Sequence, residues 1–175
     1  MYLTILFLPL LGSITAGFMG RKIGVTGAHI ITIFSLFLAS TFATFAFYEV
    51  AICGSPVTIH LFTWINSDIM TVSWEFLFDS LTVSMFIPVL YISTLIHLFS
   101  TDYMGEDPHN QRFFSYLSLF TFFMLMLVAG GNFFVLFVGQ PGLMHYLIIK
   151  YKRQSVIFYI NICNCIILLF AGILR

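Results

Sequence analysis

The sequence predicts an all-α fold, a polytopic transmembrane helix bundle of about six spans. Three observations predict it. The chain is 60% hydrophobic and only 8% charged, with a mean hydropathy of +1.03, whereas soluble domains carry roughly 25% charged residues. Six apolar stretches approach the roughly 20 residues that cross a bilayer as a helix. The lysines and arginines gather in alternate connections between those stretches, the bias that orients membrane helices. A soluble fold has too little polar surface here to cover so much apolar side chain, so lipid must act as part of the solvent.

In chain order, the stretches run at about residues 2–20, 28–48, 76–99, 113–129, 133–149 and 156–174. The fourth and fifth are separated only by Gly130-Gly131-Asn132, a turn signal. Unbroken, they would form a helix of about 37 residues, roughly 55 Å long, against a hydrocarbon core of about 30 Å. In the first stretch, the pairs Gly12/Ala16 and Ser13/Gly17 predict close approach of a neighbouring helix. Between the second and third stretches, residues 57–64 are β-branched and aromatic, which predicts a short strand or hairpin. Trp64 and Trp74 suit the membrane interface. Pro108 stops regular structure in the connection at 101–112.

Charge sets the expected orientation. Arg21 and Lys22, then Arg112, then Lys150, Lys152 and Arg153 fall in connections that six spans place on one face, leaving only Arg175 opposite. The N-terminus is expected on the other side from this basic face. No basic residue precedes the first apolar stretch, so it reads as a retained helix and not a cleaved signal. Net charge is zero, which offers no basic patch for nucleic acid. Cys53, Cys163 and Cys165 make neither a disulfide framework nor a metal-ligand spacing.

Ionisable groups inside spans are the candidate functional residues, because their burial in lipid is costly. Asp79 reads either as a proton-relay carboxylate or as an interfacial charge at a helix N-terminus. His97 reads as a relay group or, more simply, as an interfacial ring with one wet edge, and His29 reads as interfacial too. His145 lies deeper, as a relay or a structural hydrogen-bond partner. Lys150, Lys152 and Arg153 read as a headgroup-facing anchor. Well-paired axial histidines for haem and a phosphate-cradling glycine loop are both missing.

The opening MYLTILFLPLLGSITAGFMGRKIG, the FDSLT run, the YMGEDP loop and FFMLMLVAGGNFFVLFVG resemble chain 5 of respiratory complex I, an antiporter-like subunit of NADH:ubiquinone oxidoreductase. The wording is nearest to plant-like or protist mitochondrial versions. The resemblance covers residues 1–139, about four spans and the start of a fifth; residues 140–175 form a divergent tail with the rest of the fifth span and a sixth. It implies a place in the membrane arm of a proton-pumping complex in the mitochondrial inner membrane, with the bacterial plasma membrane as the alternative and the N-terminus towards the intermembrane space. It implies no cofactor in this chain, with FMN, iron–sulfur clusters and ubiquinone held by other subunits. The implied partners are other membrane-arm subunits, a companion chain carrying the remaining helices, and lipids such as cardiolipin.

The family pattern then breaks. Where the family has Gly-Trp-Glu-Gly-Val-Gly, with its glutamate in the pumping path, this chain has Gly139-Gln140-Pro141-Gly142-Leu143-Met144-His145. With that glutamate missing, the chain is expected to be mainly structural, with no catalytic centre of its own. His145 stands near the glutamate's place as a surrogate titrating group. A stand-alone cation/proton antiporter and a structural relic are the competing readings.

Overall fold

The computed structural model describes residues 1–66, 71–104 and 110–139. Four long helices and one hairpin make up most of this part: α1 Tyr2–Phe18, α2 Gly20–Phe47, β1 Val57–Asn66, β2 Thr71–Phe78, α3 Ser80–Tyr103 and α4 Asn110–Ala129. Helices α1 and α3 run antiparallel to α4: Ser13 and Phe7 of α1 meet Ser115 and Phe122, and His97 of α3 meets Ser118 while the Met104 carbonyl at its end meets Asn110.

Three helical stretches, Lys22–Ile52, Ser80–Tyr103 and Asn110–Ala129, are long and apolar enough to cross a membrane. Helix α1 has 17 residues, the lower limit for a span at about 1.5 Å per residue. Residues 133–139 are helical again after the break at 130–132. The expected sixth span and most of the fifth lie outside the described residues, so four of the six expected spans have a described helix in their place.

Helix α2 is two pieces. Gly24 has φ +83° and ψ 175°, a left-handed φ that glycine adopts without steric cost. The regular helix follows it and ends in a π-helical turn, Tyr48–Ile52, where Cys53 N–H donates to the Tyr48 carbonyl at 3.2 Å. Polar side chains along α2 bond back to their own backbone: Thr32 Oγ1 donates to the Ala28 carbonyl at 2.9 Å and Ser35 Oγ to the Thr32 carbonyl at 2.8 Å. That satisfies hydroxyls where water is excluded.

The expected hairpin is present and is longer than the sequence suggests. β1 and β2 pair antiparallel, with Val57 opposite Phe78 and His60 opposite Glu75, and with irregularities after His60 and Thr63. β2 extends through residues 76–78, which the hydropathy reading assigns to the third helix. Local alternation decides this: Val72, Phe76 and Phe78 are buried and the residues between them are less so, the period-2 pattern of a strand. Phe62 and Trp74 stack with centroids 5.9 Å apart, and Trp64 lies 5.5 Å from Trp74.

The core runs along the inside of the bundle, through Ile5, Leu36, Phe78, Phe86, Leu90 and Leu125, all fully buried. Phe78 carries the hairpin into it, with Phe86 at 5.9 Å and Tyr2 at 5.0 Å. The outer faces are apolar as well. Phe34, Phe37, Leu95 and Phe99 are 61–68% exposed, a composition that suits lipid and not water. Since lipid is as apolar as the core, the helices cohere by close packing and hydrogen bonds more than by the hydrophobic effect.

Both small-residue pairs of α1 do what their spacing predicts. A Cβ on Gly12 would sit 2.5 Å from Ser35 Oγ of α2, and one on Gly17 would sit 2.8 Å from Ser115 Oγ of α4. Ser13 and Ser115 exchange hydrogen bonds across the α1–α4 seam: Ser13 Oγ donates to the Ser115 carbonyl at 2.8 Å, and Ser115 Oγ to the Ser13 carbonyl at 2.9 Å. Helix α1 therefore lies between α2 and α4.

The break at 130–132 is held by the hairpin. Gly131 N–H donates to the Glu75 carbonyl at 3.2 Å, and Asn132 Nδ2 to the Ser73 carbonyl at 2.9 Å. A Cβ on Gly131 would meet Glu75 Cγ at 2.8 Å.

Candidate functional site

The polar interior of the bundle sits at the end where the C-terminal halves of α1 and α3 meet the N-terminal halves of α2 and α4. His97, on α3, is its centre and is fully buried. This corrects the expectation of an interfacial ring with a wet edge: α3 continues to Tyr103, placing His97 more than a turn inside, and α4 covers it. His97 Nδ1 faces the Ser93 carbonyl at 2.8 Å and Nε2 faces Ser118 Oγ of α4 at 3.2 Å. A carbonyl only accepts, so Nδ1 carries a hydrogen. Ser118 Oγ also lies 2.9 Å from the Phe114 carbonyl, and Thr121 Oγ1 donates to the Ser118 carbonyl at 2.7 Å.

Two imidazoles lie against the buried Phe114 ring. His97 is edge-on at 5.9 Å, and His29 of α2 is tilted at 4.3 Å. His29 is half-buried, and its Nε2 meets Asn110 Oδ1 at 3.0 Å. Asn110, itself buried, donates from Nδ2 to the Met104 carbonyl at 2.8 Å, tying α4 to the end of α3. One turn before His97, the buried Ser93 Oγ has no hydrogen-bond partner among the described residues. Leaving such a hydroxyl unpaired costs about 1–3 kcal/mol.

The other sequence candidates fall elsewhere. Asp79 is the N-cap of α3 with extended backbone (φ −89°, ψ 168°); its carbonyl accepts from Val83 N–H at 3.0 Å and its side chain makes no capping bond. That position fits the interfacial-charge reading and is remote in sequence from the polar end. His145, Lys150, Lys152 and Arg153 lie outside the described residues. At the hairpin end, His60 Nδ1 is 3.0 Å from Glu75 Oε2, and Ser73 Oγ donates to that same oxygen at 3.2 Å. With the His60 side chain 65% exposed, this is a solvated pair. Among the described residues no three His, Cys, Asp or Glu side chains gather as a metal site.

Sequence reasoning missed Ser93, Asn110, Phe114 and Ser118. A signal was present: Asn110, Phe114 and Ser118 are four apart, as are Ser93 and His97, so each set lies on one helix face. Only packing brings the two faces together.

Antiparallel apolar helices enclosing a few polar groups define the class as a polytopic membrane protein of helical-bundle type. Comparison with known sequences narrows it. The family described as the N-terminus of NADH-ubiquinone oxidoreductase (complex I) chain 5 matches residues 64–114. A chain 5 from Rhizopus stolonifer is 60% identical over 153 residues, 86% of this chain and 23% of the relative. Two proteins of Neurospora crassa are each 58% identical over 142 residues, 81% of this chain. One is a chain 5, covered over 20% of its length. The other is named a probable intron-encoded endonuclease 4 and is covered over 26%. The matched part of this chain belongs to the family of complex I chain 5 N-termini. The chain spans about a fifth to a quarter of the length of the curated relatives it matches.

Proposed function

We propose that this chain is an N-terminal membrane-arm piece of a proton-translocating NADH:ubiquinone oxidoreductase. The observation that carries this is identity near 60% to chain 5 proteins across more than four-fifths of the chain. The antiparallel apolar bundle supports it and gives the segment a structural task, holding helices that a companion chain supplies. FMN, iron–sulfur clusters and ubiquinone belong to other subunits in this reading. The relatives are fungal, which supports the mitochondrial inner membrane. Arg21, Lys22 and Arg112 fall at one end of the bundle, which supports an N-terminus towards the intermembrane space. Lys150, Lys152 and Arg153 would hold anionic headgroups such as cardiolipin on the matrix side. Asp79 stays an interfacial charge, and His145 a surrogate for the missing glutamate. A stand-alone antiporter is disfavoured because the matching proteins carry the complex I name.

A second reading concerns the tail. In Neurospora crassa, one matched segment of the same extent and identity occurs in a chain 5 and in a protein named for intron-encoded sequence. Such a segment therefore occurs in two proteins of different name. Here the composition changes after Gly139: the tail holds four of the seven basic residues and two of the three cysteines. Intron-encoded sequence joined in frame accounts for that change.

Native purification with mass spectrometry of every copurifying chain tests both readings. Complex I core subunits together with peptides from residues 140–175 support the subunit. A complex whose chain 5 runs on past the matched segment, without those tail peptides, supports the second reading. Purification free of flavin and iron–sulfur subunits overturns the first.

A further inference from the structure

We infer that Glu75 and His60 form a pH-responsive clamp on the break that ends α4, closing over Gly131 when the imidazole is cationic. The inference goes beyond the membrane-arm reading and borrows from it only the side of the membrane on which the clamp sits.

Glu75 meets the break twice, through its backbone and through its side chain. Its carbonyl accepts the Gly131 N–H at 3.2 Å. Its side chain then lies across the same glycine: a Cβ on Gly131 would stand 2.8 Å from Glu75 Cγ and 3.3 Å from Oε1. The missing Cβ is what lets the carboxylate lie so close. The other carboxylate oxygen is the anchor. Oε2 lies 3.0 Å from His60 Nδ1 and accepts from Ser73 Oγ at 3.2 Å. Held by those two, the side chain shelters the main-chain bond and keeps water from competing for the Gly131 N–H. The Asn132 bond to the Ser73 carbonyl and the bridge between Phe76 and Gly130 set β2 along all three residues of the break.

The anchor depends on one proton. His60 stands opposite Glu75 in the ladder. Its side chain is 65% exposed, against 23% for Glu75. Bulk protons therefore reach the imidazole directly while the carboxylate stays partly sheltered. With the ring cationic, its bond to Oε2 is charge-assisted. Loss of the proton removes that attraction, and the carboxylate exchanges His60 for water. Pairing favours the cation, so closure is complete below the ordinary titration range of histidine and relaxes as pH rises through it.

Other charges are few at this end. Residues 120–139 carry no titratable side chain. Asp79 stands beyond the end of β2 at the start of α3, the turn after α2 brings Tyr48, Glu49 and Cys53, and α1 brings Tyr2 and the N-terminal amine. Asp68 lies outside the described residues. Among the described residues, the ion pair that His60 makes is with Glu75. The hairpin lies at the bundle end opposite Lys22 and Arg112, the outer side in the membrane-arm reading. Acidification on that side closes the clamp on the turn between α4 and the helical residues 133–139.

The test is hydrogen exchange at the Gly131 amide in the full chain in native-lipid membranes, from about pH 5 to about pH 8, with the intrinsic pH dependence of exchange divided out. Opening is expected to rise about twofold to fivefold as pH rises, the range open to an exposed ion pair. His60→Lys, cationic throughout, is expected to stay at the low value, and His60→Gln at the high value, both without the step. Ser73→Ala is expected to raise opening at every pH and to keep the step. The Val83 amide, bonded to the Asp79 carbonyl in α3, serves as reference and is expected to show no step. A Gly131 amide without a step overturns the inference. So does a step that persists in His60→Gln, or an equal step at Val83, which marks a change of the whole bundle. Because His60 is exposed, its variants probe the clamp without loss of the fold. A step in a chain that does not copurify with an NADH-oxidising complex leaves the clamp standing and removes the membrane-arm reading instead.

Discussion

The α1–α4 seam offers a perturbation whose sign the structure sets. Gly17→Ala adds a Cβ that would lie 2.8 Å from Ser115 Oγ but 3.7 Å from Ser115 Cβ. The first distance forces a shift; the second is ordinary contact. In the wild-type background the clash costs about 1–3 kcal/mol, as overpacking typically does. Replacing glycine with alanine inside a helix returns about 1 kcal/mol, so the net is destabilising by roughly 0–2 kcal/mol. Ser115→Ala removes the clashing oxygen and with it the bond to the Ser13 carbonyl, at about 0.6 kcal/mol for an interhelical hydrogen bond in lipid. On that background Gly17→Ala should stabilise by about 1 kcal/mol. The double-mutant cycle thus has a coupling of about 1–3 kcal/mol with a change of sign. Unfolding in mixed micelles at rising SDS fraction, followed by Trp64 and Trp74 fluorescence, measures it. Equal cost of Gly17→Ala in both backgrounds would refute the packing of α1 on α4.

Other expectations follow from single contacts. Phe86→Ala, at a fully buried ring against Phe78, should destabilise by about 3–5 kcal/mol in the same assay. Asn132→Ala removes the bond to the Ser73 carbonyl and should lower stability by about 0.5–1.5 kcal/mol, read as faster amide exchange in β2. Replacing Gly24 with alanine places a side chain at φ +83° and should cost about 1 kcal/mol, visible as a lower unfolding midpoint. Asn110→Ala breaks the links to His29 and to the Met104 carbonyl; protease sensitivity should rise at the α3–α4 connection, and unchanged sensitivity would count against its tying role.

How much was legible differed by scale. Helix α4 was placed within three residues of its start because charge and apolarity change together there. The third helix was placed four residues early, because Phe76 and Phe78 are as apolar as any helix residue and only pairing with β1 shows them to be strand. The close approaches of Gly12 and Gly17 were legible from spacing alone, though not which helix each would meet. His97 was misread for a physical reason: distance from a predicted helix end measures depth only if the end is right and nothing covers the ring.

The sequence by itself determined that this is a helical membrane protein, that its fourth apolar stretch ends at the Gly130-Gly131-Asn132 break, and, through the FDSLT and FFMLMLV runs, which family its matched part belongs to. Those properties are carried by local composition and short spacing, which act within one element. The tertiary structure decided the rest: that α1 lies between α2 and α4, that the hairpin holds the break at Gly131, and that His29 and His97 close on one phenylalanine. Residues 29, 97 and 114 are far apart along the chain and share no local pattern. Only the packing of three helices brings their rings within contact.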